Sequence, residues 1–307
     1  LSPYGVAADS DGWLYVTDVG ANRIQVFDSG GAYKATIGGT MGPGNDQFFS
    51  PTGIFVTSSK DVLVADTDNC RVQSFRHLSG FSWQYNFTIG TTGQPGITND
   101  KFVAPLEVAV DSNGKIYVVD ELAYRVQVFS GTSYLATMGV SGIGLQDNSH
   151  FNLPVSIAFS PSGAIYVVDL TGVSCRVQVF EASRNYVQSL GDRHWANQVS
   201  AGTSNSQLNG PWGVAVNSSG FIFISDTSNH RVQVFDPFGT YVRTLGVTGV
   251  SGADVGHFLY PRGLDVASGG KLLVADAGNY TGLVANSNHR VLVFNDLSDG
   301  FADLQLG

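Results

Sequence analysis

The stretch "SNHRVQVFDPFGTYVRTLG" (Ser228–Gly246) decides the fold, because close copies of it occur elsewhere in the chain. Related phrases are "ANRIQVFDSGGAYKATIG" (21–38), "AYRVQVFSGTSYLATMG" (123–139) and "SCRVQVFEASRNYVQSLG" (174–191). Each joins two short apolar runs through turn residues, which is typical of a β-hairpin. A hairpin that recurs along one chain predicts a repeat architecture.

Six copies of a longer unit surround this hairpin. Each copy starts at a proline, has an aspartate fifteen residues later, and then has an arginine followed by phenylalanine four residues on. The prolines are Pro3, Pro51, Pro105, Pro154, Pro211 and Pro261, the aspartates are Asp18, Asp66, Asp120, Asp169, Asp226 and Asp276, and the arginines are Arg23, Arg71, Arg125, Arg176, Arg231 and Arg290. Two constant spacings in six copies indicate one repeated structural unit.

Each unit supplies four strand candidates, of which "GVAVN", "FIFISD", "RVQVF" and "YVRTLG" are one set. The second strands are apolar almost throughout, so both faces of each small sheet should be covered by other sheets. Six four-stranded antiparallel meanders stacked radially predict an all-β, six-bladed β-propeller. We expect a single domain over 1–307, with blades near 1–50, 51–104, 105–153, 154–210, 211–260 and 261–307.

Composition and charge narrow the function classes. The formal net charge is −9 and only five lysines are present, which argues against a nucleic-acid partner, because phosphate binding needs clustered Lys and Arg. No apolar run approaches 18 residues, so no membrane-spanning helix is expected. Asn86, Asn217 and Asn279 begin glycosylation sequons, which a secreted domain could use, but the compartment stays open. We expect a monomer or a part of a longer chain.

The phrases "SDTSNHRVQVFDPFGTYVRTLG" and "PWGVAVNSSGFIFISD" resemble NHL repeats, and all six units share the pattern. The resemblance implies a propeller fold. Members of that family include RNA readers, protein-interaction domains, receptor sensor domains and, in a relative, a lyase. The zinc of the peptidyl-hydroxyglycine lyase rests on channel-facing histidines, and no such histidine stands at the corresponding positions here.

The repeated charged and polar residues are interpreted as scaffold. One active site has no use for six equivalent arginines, so we expect them to bond the repeat aspartates and loop carbonyls. His230 and His289 precede two of these arginines and share a repeat position with Cys70 and Cys175. We expect a structural role for the histidines and two free thiols for the cysteines.

The loops between blades are long and variable, which favours a functional surface on their face. The residue after each repeat proline should point toward the mouth of the central channel, and it differs between copies: Tyr4, Thr52, Leu106, Val155, Trp212 and Arg262. An aromatic–arginine–aromatic arc of Tyr4, Trp212 and Arg262 suits a planar ligand, a sugar ring or an acidic group. Glu107 and Glu121 of blade 3 complete the candidate ligand-binding set. The alternative is that the aromatic residues plug the channel and Glu107 caps a loop.

The leading hypothesis is a non-catalytic propeller that binds a protein, peptide or glycan on its interblade-loop face. The alternative is a lyase or hydrolase with its site at the channel mouth, and the third hypothesis is RNA binding. His150, His194 and His257 are too widely separated in sequence to form a zinc signature. We expect no catalytic residue, no metal ligand and no cofactor, with a structural calcium or zinc ion in the channel as an alternative.

Overall fold

A computed structural model describes residues 2–170, 175–191, 202–267, 269–278, 288–295 and 302–306. The structure confirms the predicted all-β class and the six-bladed β-propeller fold, in which each blade is a four-stranded antiparallel sheet. The chain divides into two compact units, Leu1–Val155 and Ser156–Gly307. The expectation of one domain over residues 1–307 stays a prediction. His194 lies outside the described residues, as does Asn279.

The first unit holds three complete blades. Its strands are β1 (Pro3–Ala8), β2 (Leu14–Asp18), β3 (Arg23–Phe27), β4 (Tyr33–Gly38), β5 (Pro51–Val56), β6 (Val62–Asp66), β7 (Arg71–Ser79), β8 (Ser82–Ile89), β9 (Pro105–Val110), β10 (Ile116–Asp120), β11 (Arg125–Ser130) and β12 (Ser133–Gly139). Single 3-10 turns at Val19–Ala21, Thr67–Asn69 and Glu121–Ala123 link the second and third strands of these blades.

The fourth blade begins at the boundary between the units, and the fifth and sixth follow it. Their strands are β13 (Pro154–Phe159), β14 (Ile165–Leu170), β15 (Cys175–Phe180), β16 (Tyr186–Leu190), β17 (Pro211–Val216), β18 (Ile222–Asp226), β19 (Arg231–Phe235), β20 (Tyr241–Leu245), β21 (Pro261–Val266), β22 (Leu272–Asp276), β23 (Arg290–Phe294) and β24 (Leu304–Leu306). A 3-10 turn at Thr227–Asn229 links β18 to β19.

Each inner strand starts at its repeat proline, which lacks an N–H group and suits the first position of an edge strand. Pro51 pairs with Asp66, and the register shifts before Ile54 pairs with Val64. Pro211 and Pro261 show the same irregularity at the same place. The repeat therefore encodes a bulge at the start of the inner strand as well as the strands themselves.

The core of each unit lies between neighbouring blades. One cluster combines Ile24 and Phe48 of blade 1 with Val64 and Phe75 of blade 2, and all four side chains are buried. The apolar second strands lie between two such clusters, since Leu63 packs toward blade 3 with Val118. A separate cluster of the second unit joins blades 5 and 6. This arrangement explains why these strands show no polar alternation.

The repeat arginines and aspartates form the predicted scaffold. Within each blade the arginine Nε donates to the aspartate Oδ2, at distances from 2.6 to 3.1 Å. The remaining donors of Arg71 reach the carbonyl oxygens of Pro43, Gly44 and Gln47 in the loop before its blade. Arg231 binds the loop before blade 5 in the same way. The structural interpretation is confirmed for these residues.

The position before the repeat arginine is also structural in blades 1, 2, 4 and 5. His230 adopts a left-handed backbone with φ of 55°, and its Nδ1 accepts a hydrogen bond from the Tyr260 N–H in the next interblade loop. Asn22 Oδ1 accepts from the Ser50 N–H in the same way. Cys70 and Cys175 are buried free thiols at this position, and their sulfurs contact backbone groups of the following loops.

Candidate functional site

Buried arginines bind the backbone of two interblade loops of the first unit, 39–50 and 91–104. Arg125 donates to the carbonyl oxygens of Ile97, Thr98 and Lys101, as Arg71 does to the loop before it. A guanidinium group with several carbonyl acceptors fixes the backbone of a loop that has no regular structure of its own. Side chains on these loops are therefore displayed from a rigid base.

Large apolar side chains project from these loops into solvent. We call this surface the first loop face; it consists of loops 39–50, 91–104 and 140–153 with links 19–22, 67–70 and 121–124. Its exposed apolar side chains, each at least 38% accessible, are Met41, Phe49, Ile97, Leu122, Val140, Ile143 and Leu145. A Cβ on Gly142 would lie 3.5 Å from Ile97, so two of the loops adjoin there. Apolar groups concentrated on one surface mark interaction sites.

The first loop face also carries net negative charge. Its acidic residues are Asp46, Asp68, Asp100, Glu121 and Asp147, and Lys101 is its one lysine or arginine. Ser50 and Asp68 share a hydrogen bond across the face. The combination of apolar side chains and unbalanced carboxylates complements a cationic, partly apolar partner.

Two of the predicted site residues come together in the second unit. Trp212 follows the proline of β17 and Arg262 follows the proline of β21, and the Arg262 guanidinium lies over the Trp212 ring at 4.6 Å from its centroid. A Cβ on Gly213 would lie 2.3 Å from the Arg262 carbonyl oxygen, so the two backbones approach closely. Both side chains are half-buried. The pair is a cation–π contact of the kind worth about 0.5–2 kcal/mol.

The hydroxyl of Ser225 fixes the backbone at this pair. Ser225 Oγ donates to the Arg262 carbonyl at 2.7 Å and accepts from the Gly213 N–H at 2.6 Å. Thr17 makes the equivalent bonds between Gly5 and Thr52 in the first unit. The same hydroxyl bonds thus set the distance between neighbouring inner strands in both units. The side chains that follow the repeat prolines on these strands differ between blades.

The other predicted site residues, Tyr4, Glu107 and Glu121, belong to the first unit. Tyr4 is half-buried on β1. Glu107 on β9 is half-buried, and its Oε1 lies 2.4 Å from where a Gly53 Cβ would be. Thr52 and Leu106 hold the position of Tyr4 in blades 2 and 3, and both are buried. Thr52 Oγ1 donates to the Leu106 carbonyl. Those positions thus serve packing, whereas the role of the five candidates in ligand binding stays a prediction.

Glu121 opens the 3-10 turn of blade 3 beside exposed Leu122. Its backbone N–H donates to the Ala104 carbonyl. Burial raises the pKa of its carboxyl above the ordinary value, and no other cause contributes. A desolvated carboxylate at the edge of an exposed apolar surface is suited to pairing with a cation.

Glu121→Gln is expected to raise the melting temperature at neutral pH. Because the folded-state pKa is raised, the folded protein holds this proton more tightly than the unfolded chain does. The contribution of the Glu121 carboxyl to the free energy of unfolding is therefore fully present below the pKa that it has in the unfolded chain. This contribution is lost as pH rises through the pKa of the folded protein. The gain in melting temperature should be small at about pH 4 and largest at about pH 8. An equal gain at both pH values would contradict the assignment.

The loop histidines pair locally. His150 Nδ1 lies 2.8 Å from Asp147, and His257 Nδ1 lies 2.7 Å from Asp254. The His257 carbonyl accepts from Arg290, a role that Gln47 has toward Arg71 in blade 2. These histidines thus occupy the scaffold position that other blades give to glutamine or lysine.

Among the described residues, no three His, Cys, Asp or Glu side chains form a metal-ligand group. None of the helices in the described part of the chain is long and apolar enough to cross a bilayer.

Sequence reasoning identified the loop face by loop length but did not identify the exposed apolar residues on it. Their signal was present, since Met41, Ile97 and Ile143 are isolated apolar residues within Gly-rich loops. Similar isolated residues such as Phe102 and Phe151 are buried. Sequence alone does not separate the two groups, because exposure in an irregular loop depends on the path of the backbone.

The NHL repeat model matches residues 1–27 and 208–235. The chain is 50% identical over 42 residues to the E3 ubiquitin-protein ligase TRIM71 of Gallus gallus, which is 14% of this chain and 5% of that protein. It is 30% identical over 133 residues to a probable peptidyl-alpha-hydroxyglycine alpha-amidating lyase of Caenorhabditis elegans, which is 42% of this chain and 37% of that protein. Virginiamycin B lyase from Staphylococcus aureus superposes with a TM-score of 0.59 at 12% identity, covering 96% of this chain and 81% of that one.

The aligned part of the chain spans well under half the length of these sequence relatives. At 12% identity the structural likeness shows the fold alone. The matched segments contain the repeat prolines, aspartates and arginines that build the blades. The two matched NHL repeats and the six four-stranded blades together support an NHL-repeat β-propeller family.

Proposed function

We propose that the first loop face binds a protein or peptide segment that carries apolar and basic side chains. The observation that supports this proposal is the set of exposed apolar side chains on the first loop face, of which Met41 and Ile97 stand on loops anchored by buried arginines and Ile143 adjoins Ile97. A rigid display reduces the conformational entropy lost on binding. The surrounding carboxylates favour a basic partner and oppose the phosphates of RNA.

Panning a phage-displayed random dodecapeptide library on the intact protein tests this proposal. Selected peptides should be enriched in apolar residues together with Lys and Arg. Their affinity, measured by fluorescence anisotropy, should weaken as salt increases, because charge pairs at an exposed surface are screened. The double variant Ile97→Ser/Ile143→Ser should lose at least about tenfold in affinity, or about 1.4 kcal/mol.

The control is Leu78→Ser/Leu135→Ser. These two leucines lie on strands outside the loop face, and their exposures of 54% and 48% match the 52% and 48% of Ile97 and Ile143. The control variant should bind the selected peptides as the parent does. Equal losses in both variants, or selected peptides without basic residues, would contradict the proposal.

The second candidate function is a lyase or hydrolase with its site around Trp212 and Arg262. The similarity to a probable lyase over 133 residues supports it, together with the half-buried cation–π pair. Turnover of a peptidyl-α-hydroxyglycine substrate that disappears in Arg262→Ala would favour this candidate over the binding function.

A further inference from the structure

The outer rim of blades 1 and 2 contains a groove that shares only residues 45–46 with the first loop face. Strands β4 and β8 and residues 45–46 of the loop enclose about 520 Å³ between them. Cavities of 300–1,000 Å³ are typical of small-molecule sites. Phe75 and Ile37, which are buried, belong to its lining.

The groove is individual to blade 2. Strands β7 and β8 have nine and eight residues, whereas the corresponding strands of blade 5 have five each. The added length carries Trp83 and the hairpin tip with Phe81, which has no equivalent in the tight turns of the neighbouring blades. Tyr85 is a repeated element, since Tyr33 and Tyr241 contact their repeat phenylalanines in the same edge-on geometry. The longer hairpin of blade 2 therefore adds the rings of Phe81 and Trp83 beside Tyr85, which is part of the repeat.

The aromatic rings are held in place by their own contacts. Trp83 Nε1 donates to the Lys60 carbonyl at 3.0 Å, and its ring stands edge-on to buried Tyr15. The Tyr85 hydroxyl bonds Thr88 at 3.1 Å. Phe81 stacks on Trp13 with ring centroids 4.2 Å apart. These contacts preorganise the rings before any ligand arrives.

The polar side chains that line the groove complement a ligand rich in hydroxyl groups. Exposed Asn45 and Gln84 offer amide donors and acceptors, Asp46 offers a carboxylate, and Thr36 and Ser82 offer hydroxyls. No lysine or arginine is among the lining residues that the structure describes, which makes an anionic ligand a poor match. Aromatic rings beside mixed donors and acceptors match a pyranose, which has an apolar C–H face and a rim of hydroxyls.

We propose that this groove binds a neutral oligosaccharide. A proline-rich peptide is the other ligand class that aromatic grooves take. The ring groups that would bond such a peptide already have partners within the protein, since the Trp83 N–H donates to Lys60 and the Tyr85 hydroxyl bonds Thr88. The other polar groups are the Asn45 and Gln84 amides, the Ser82 hydroxyl and the Asp46 carboxylate, which include several acceptors. Proline residues have no N–H to donate to these acceptors, whereas sugar hydroxyls both donate and accept, which favours the sugar.

Saturation-transfer NMR and calorimetric titration of the intact chain with cellohexaose, maltohexaose, mannohexaose and chitohexaose test this proposal. At least one probe should bind saturably. Its affinity should fall at least about tenfold in Phe81→Ala and in the double variant Ser82→Ala/Gln84→Ala, whose residues are exposed and lie outside the first loop face, so that folding is retained. The control is Phe238→Ala, which removes a more exposed phenylalanine from the corresponding hairpin turn of blade 5.

Three results would overturn the assignment. One is the absence of saturable binding for all four sugars, and another is an equal loss of affinity in Phe81→Ala and Phe238→Ala. The third is binding of decaproline, lost in Phe81→Ala, with no sugar bound, which would assign the groove to a peptide. The substituted residues lie outside the first loop face, so the outcome is separable from that of the peptide-binding experiment.

Discussion

Arg71→Met is expected to lower the free energy of unfolding by about 3–5 kcal/mol, the range found when one partner of a buried ion pair is removed. The Arg71 side chain is 2% exposed, and Asp66 beside it is fully buried. Without the guanidinium, Asp66 becomes a buried carboxylate without its cation, and the carbonyls of Pro43 and Gly44 lose their donor. Urea denaturation followed by circular dichroism measures the loss.

Arg23→Met is the matched control, because Arg23 holds the same repeat position in blade 1. Its side chain is 33% exposed and it pairs with Asp18, so water can replace much of what the guanidinium supplies. The expected loss is about 1 kcal/mol. Equal losses for the two variants would show that burial of the pair does not set its contribution.

Gly53→Ala is expected to destabilise the first unit by about 2–3 kcal/mol, as overpacking of a close-packed site does. A Cβ at Gly53 would lie 2.6 Å from the Glu107 Cα and 2.6 Å from the Leu106 carbonyl oxygen. Both are backbone atoms, so relief requires β5 and β9 to move apart. Thermal unfolding should show a lower melting temperature.

Two further variants distinguish this cause from a general effect of replacing glycine. Gly30→Ala places a Cβ 3.4 Å from Asp28 in a surface turn, and stability should change by less than about 0.5 kcal/mol. Glu107→Gly combined with Gly53→Ala should not restore stability, because the clash with the backbone remains. Full rescue by Glu107→Gly would assign the clash to the Glu107 side chain instead.

The repeat made the architecture predictable from sequence. Constant spacings from proline to aspartate and from arginine to phenylalanine set the strand order, so the sequence alone places Pro51, Asp66, Arg71 and Phe75 in blade 2. The same spacings identified the arginines as scaffold, which the bonds of Arg71 and Arg125 confirm. Local sequence carries this information because strands, turns and buried ion pairs are made within one blade.

The candidate site was less predictable, because it depends on where the copies differ. The sequence singled out Trp212 and Arg262 as unlike their counterparts, and the structure brings them into contact. The sequence did not show that Phe81 and Trp83 line a groove opposite β4. That juxtaposition arises between blades, and the sequence of one blade does not specify the shape of the space beside its neighbour.

The sequence by itself determined the six-fold repeat, the all-β class, the scaffold role of the repeat ion pairs and the loops that vary. Tertiary structure decided which loop residues are exposed: Ile97 and Ile143 face solvent, whereas Phe102 and Phe151 in the same loops fill the core. The physical reason is that strand periodicity follows from local geometry. Exposure in an irregular loop follows from the bonds of distant groups, such as those of Arg125 to the carbonyls of loop 91–104.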